Sequence, residues 1–132
     1  MAITIKSSEE IDKMRIAGKL AAQTLDMLTD NIKEAISAPL NYHGFPKSIC
    51  TSINHVVCHG IPDNTVLKSG DIINIDITVI KDGYHGDTSK MFLIGDVSAE
   101  DSRLCRLAQE SLYLSIKKVK PGATFGEIGS TI

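Results

Sequence analysis

Asp76 and Asp87, in the stretch NIDITVIKDGYHGDTS, are the pair of residues whose type and spacing could do chemistry. Alternation with a period of two turns Ile73, Ile75, Ile77 and Val79 one way and Asn74, Asp76 and Thr78 the other, as a half-buried strand requires. Asp82-Gly83 is a tight-turn signal of the type I′ kind. A two-residue turn there sets Thr78 opposite Asp87 and Asp76 opposite Ser89. Facing residues share a side of the sheet, so both aspartates fall on one face as diagonal neighbours, roughly 7–8 Å apart at the backbone. Carboxylates converging across that gap repel unless a cation lies between them, and hard oxygen donors suit Mg, Mn or Fe(II). Spacing alone leaves a second reading open, in which both sit on a wetted sheet face.

Other candidates lie around this pair. By the same alternation His85 shares the aspartates' face, as a third ligand or as a solvated turn histidine. His59, in VVCHGIP, follows an apolar run and precedes a turn; it is either structural or placed to hydrogen-bond a substrate amide and move a proton. Tyr42, Phe45 and Pro46 either cover a core edge or line an apolar substrate pocket. Cys50 and Cys58 read as small core residues with no CxxC spacing.

The elements that must position these residues are legible in outline. Ser7 and Glu10 form a capping box, and Ile11, Met14, Ala21, Leu25 and Leu28 recur at helical steps, predicting a helix over about 8–28. NYHGFPKS is a loop, ICTSINHVVCHGIP reads as short β segments, and Ser69-Gly70 turns the chain into the hairpin. Ser98 caps a second helix with an expected buried stripe at Leu104, Leu107, Ala108, Leu112 and Ile116. Lysines 117, 118 and 120 lie near its negative end, and Pro121-Gly122 stops it. Thr124 and Glu127 form another capping box that opens a third helix.

The bulk properties set limits. The chain has 132 residues, 42% of them hydrophobic and 23% charged, which fits one globular domain. Its 14 basic and 16 acidic residues give a net charge of -2, with no basic patch for nucleic acid or an anionic membrane. Three cysteines without framework spacing favour a reducing, cytoplasmic setting. MAITIKSSEE lacks a signal peptide's apolar core, and no apolar run reaches membrane-spanning length.

Four ordered blocks, NYHGFPKSIC, VVCHGIP, NIDITVIKDGYHGDTSKMF and RLCRLAQESLYLSI, resemble the bacterial, type I methionine aminopeptidases. The resemblance extends over nearly the whole chain. It implies an α/β (α+β) fold, half of the pita-bread (creatinase/aminopeptidase) architecture, with an antiparallel hairpin sheet and helices on one face. It implies a metal-dependent aminopeptidase that removes the initiator methionine from nascent proteins whose second residue is small. By motif, Asp76 and Asp87 match metal-binding aspartates. His59 matches the catalytic, substrate-contacting histidine, and Tyr42, Phe45 and Cys50 match positions lining the methionine pocket. His85 matches no family ligand. The cofactor implied is a divalent metal, normally two ions per site, with Co, Mn, Fe(II), Zn and Ni all eligible.

Two departures from the family follow from the same comparison. A helix-containing segment is missing where DNIK meets EAISAPLNYHG, at Lys33-Glu34. The family's downstream histidine and two glutamate ligands have no counterpart, since the four histidines are His43, His55, His59 and His85. The expectation is a single domain over 1–132, truncated relative to the family and weakly active or inactive alone. Its uncovered sheet edge invites self-association. The alternatives are a half-domain that binds peptide N-termini or a partner without cleaving them, and a fragment with no function of its own.

Overall fold

The computed structural model describes residues 4–26 and 36–132, with side chains described for 4–21 and 36–132. Ser7 and Glu10 form the expected capping box: the Ser7 N–H donates to Glu10 Oε2 at 2.7 Å and the Ser7 Oγ accepts from the Glu10 N–H at 3.3 Å. The helix α1 follows over Ser8–Asp26. Leu28 and the Lys33-Glu34 junction lie outside the described residues.

Four strands form one antiparallel sheet, β1 Ile36–Ser37, β2 Cys50–Ile53, β3 Ile72–Lys81 and β4 Tyr84–Leu93. β3 is central. β1 and β2 share one of its edges, pairing Ile36 with Ile80 and Cys50 with Asp76. β4 takes the other edge, pairing Thr78 with Asp87 and Asp76 with Ser89, the register expected from the turn. Among the described residues no strand pairs with the outer edge of β4. Two further helices follow, α2 over Ala99–Ile116 and α3 over Phe125–Thr131.

The turn owes its geometry to backbone handedness. Asp82 and Gly83 have φ of 52° and 80°, as a type I′ turn demands. A Cβ on Gly83 would meet nothing within 4 Å, so any cost there is conformational. Gly83→Val is expected to destabilise the chain by about 1–3 kcal/mol, the strain of a non-glycine residue held left-handed. Urea unfolding measures it, and an unchanged midpoint would remove the turn from the account.

α1 lies on the apolar face of β3 and β4. Its seat is Ala17 and Ala21, both fully buried against Ile77 and Val79. Ala17 belongs to the helical stripe but was not in the expected set, while Ile11 and Met14, which were, remain exposed. Small residues face the sheet because the backbones approach closely. A Cβ on Gly86 would overlap the Ala17 carbonyl and the Gly18 nitrogen.

Two expectations are overturned. The stripe on α2 is not buried: Leu104 is 61%, Leu112 56% and Ile116 54% exposed. Helical periodicity was right, and Ser98 caps the helix by accepting from the Asp101 N–H. What periodicity could not supply is a cover, because α2 packs chiefly against α3. Cys58, expected in the core, is exposed. None of the described helices is long and apolar enough to cross a membrane.

Candidate active site

The sheet face turned away from α1 carries the chemistry. Asp76 projects from the central strand and Asp87 from its neighbour, and both line one open cleft of about 700 Å³. Burial, first, and then the Asp87 charge and a hydrogen bond to that carboxyl push the Asp76 carboxyl above its ordinary value; His59 acts weakly in the other direction. The neighbouring carboxyl thus adds to burial in disfavouring the ionised form of Asp76. The diagonal contact predicted from turn and alternation is therefore present, and its electrostatic signature accompanies it.

The remaining candidates converge on the same cleft. Cys50 stands opposite Asp76 across β2 and β3 and is 6% exposed. Burial and the nearby Asp76 carboxylate push its thiol up, which keeps it a neutral, polarizable wall. Phe45 is half-buried on the cleft wall, and Tyr42 lines it while remaining 68% exposed. His59 and His85 also line it, both exposed. All six residues singled out by the family motifs thus meet in one place, with His85 beside them.

His59 is held there by an unusual backbone. Its φ is 54°, a left-handed conformation that costs a non-glycine residue about 1–3 kcal/mol and persists only where surroundings enforce it. The enforcement comes from β2. The Thr51 N–H donates to the Gly60 carbonyl at 2.9 Å, and the Gly60 N–H donates to Oγ of buried Ser52 at 3.2 Å. Gly60 must be glycine, since a Cβ would overlap the Thr51 carbonyl.

Two participants escaped the sequence. Ser52 has no motif to mark it, because its part depends on a loop returning alongside β2. Thr78 was placed opposite Asp87 by register, but that its Oγ1 donates to Asp87 Oδ1 at 3.0 Å could not be read from spacing.

The donor chemistry fits a hard divalent cation as far as it goes. Asp76 and Asp87 supply oxygen ligands of the preferred kind. Among the described residues, no group of three or more His, Cys, Asp or Glu side chains is arranged to hold a metal.

The profile of the metallopeptidase family M24 matches residues 12–132, and the chain belongs to that family. It is 53% identical, over 153 aligned positions, to the methionine aminopeptidase of Escherichia coli strain K12, covering all of this chain and 58% of that protein. With 132 residues here, at least 21 of those positions have no residue of this chain opposite them. The crystal structure of the Rickettsia prowazekii methionine aminopeptidase superposes with a TM-score of 0.90 at 50% identity, covering 98% of this chain and 60% of that one. That of the Thermotoga maritima enzyme gives 0.91 at 29% identity, covering 99% and 61%. The mixed α/β arrangement is that of the pita-bread peptidases, as the sequence resemblance implied. The chain spans a little under two thirds of the length of the relatives it matches.

Proposed function

We propose that the cleft holds a divalent cation on Asp76 and Asp87 and receives the N-terminal methionine of a peptide beside it. The activity of the family line is then removal of initiator methionine from nascent chains with a small second residue. The observation that carries this reading is the convergence of Asp76, Asp87, His59, Cys50, Tyr42 and Phe45 on one cleft. A bound cation, two in a full site, would polarise the peptide carbonyl and lower the pKa of an attacking water. Co, Mn, Fe(II), Zn and Ni all satisfy that role. The chain's own residues do the rest. His59 hydrogen-bonds the peptide amide at the scissile bond. Cys50 and Phe45 accept an unbranched thioether, which pairs well with polarizable and aromatic neighbours. The setting is cytoplasmic, where nascent N-termini are found, and residues 1–132 act as one domain that self-associates through the outer edge of β4.

Only two acidic ligands converge among the described residues, and this favours a second reading, in which these 132 residues bind a methionine N-terminus without cutting it efficiently. Groups that act as a unit lose most of their effect when some are absent. With Met-Ala-Ser and added Mn²⁺ or Co²⁺, turnover is expected at least about a thousandfold below that of a full-length relative. Calorimetry should show Mn²⁺ binding, then Met-peptide binding to the loaded chain. Turnover matching the full-length relative would refute the low-activity reading, and no binding of either ligand would refute the site.

A further inference from the structure

We propose that Thr78 is a positioning residue for the cation site, its hydroxyl fixing the Asp87 carboxylate in the orientation that presents it to the metal. This rests on the reading of Asp76 and Asp87 as cation ligands and assigns a role to a residue outside that set.

The two aspartates are not held alike. Asp76 stands on the central strand, half-buried and flanked by β2 and β4. Asp87 is exposed and stands on β4, whose outer edge has no strand beside it among the described residues. Its side chain would sweep several rotamers unless something stops it. Thr78 is the group in position to do so. It faces Asp87 across the ladder, and its Oγ1 donates to Oδ1 at 3.0 Å.

The donor is itself fixed. Thr78 lies within β3, and its carbonyl accepts from the N–H of Ala38, the residue after β1, at 2.9 Å, so it is anchored on that side and by β4 on the other. A β-branched side chain has few χ1 choices, so the hydroxyl direction is set by the strand. A carboxylate offers about four lone-pair sites. One is used by Thr78 and another by the contact with Asp76, and those left can serve a cation. A merely solvated threonine would do none of this, and a methyl could replace its hydroxyl without effect.

Mn²⁺ titration calorimetry on the unaltered chain, Thr78→Val and Thr78→Ser tests the role, with a metal-free thermal melt of each. Thr78→Val keeps the shape and loses the donor. Its Mn²⁺ Kd is expected to rise about 10–100-fold, the usual penalty for removing a group that orients a metal ligand, while its metal-free melt stays close to that of the unaltered chain. Thr78→Ser keeps the donor and is expected to stay within about threefold, since the orienting bond of the unaltered chain is retained. If Thr78→Val is unfolded at the titration temperature, Thr78→Ala takes its place. Unchanged affinity in the donor-less variant overturns the inference alone, and so does a serine variant as weak as valine. An unaltered chain that binds no Mn²⁺ overturns the parent reading, and this inference falls with it.

Discussion

Asp87→Asn is expected to remove divalent-cation binding while making the metal-free chain more stable. Asparagine keeps an acceptor for the Thr78 hydroxyl at this position, so what is lost is the charge. Losing one of two anionic ligands should weaken Mn²⁺ binding by at least about 100-fold, more than the loss of an orienting partner would. The stability effect has the opposite sign. The folded-state pKa of Asp76 is raised, by burial first and by Asp87 second. Between the ordinary carboxylate value and the raised one, the folded chain binds more protons than the unfolded chain. Stability is therefore highest below the ordinary value and falls as pH rises through the raised one, so that above it the full cost is present. Removing the Asp87 charge narrows this window, and burial keeps it from closing. Melting curves across acid to neutral pH should fall less steeply for Asp87→Asn than for the unaltered chain, with the variant melting higher at neutral pH. A variant that melts lower there and still binds Mn²⁺ normally would overturn the electrostatic account of the pair.

Gly86→Ala is expected to be the most damaging single substitution in the hairpin. The added methyl enters the space of the Ala17 carbonyl and the Gly18 nitrogen. Those are backbone atoms of α1, so no side chain can rotate away. Either the helix lifts from β3 and β4, exposing Ala17, Ala21, Ile77 and Val79, or β4 bends outward. Overpacking costs about 1–3 kcal/mol even where side chains can adjust, and this position should exceed that range. Because Gly86 immediately precedes Asp87, Mn²⁺ affinity should fall together with the melting temperature. A variant melting within about 2 °C of the unaltered chain, a shift well under 1 kcal/mol for a domain of this size, would show that the close approach is not needed. Gly83→Val is the control, since it strains the turn without touching α1.

The hairpin was the most legible part of the molecule because every one of its determinants is local. Alternation of Ile73 to Val79 fixed the faces, Asp82-Gly83 fixed the turn, and the two together fixed the register that places Asp76 diagonal to Asp87. The capping boxes at Ser7 and Thr124 were legible for the same reason, each being a contact across three residues. What escaped depends on distant partners. Two residues of β1 carry no periodic signal, so the pairing of Ile36 with Ile80 had no trace in the sequence. The left-handed backbone of His59 is imposed by β2. The stripe on α2 announced an apolar face but not what would cover it. The candidates came from residue type and spacing and their expected roles from the family motifs, whereas the meeting of Asp76 and Asp87 on one face followed from the geometry of the hairpin.

The acidic pair belongs to a single hairpin, and this bears on when it assembles. Bringing Asp76 and Asp87 together closes only a short loop, whose entropic penalty is small. Contacts so near in sequence form early and quickly as a chain folds. The acidic wall of the cleft is thus a local object, able to organise before the long-range packing of α1 and β2 is complete, whereas the His59 wall must wait for β2 to find its place beside β3.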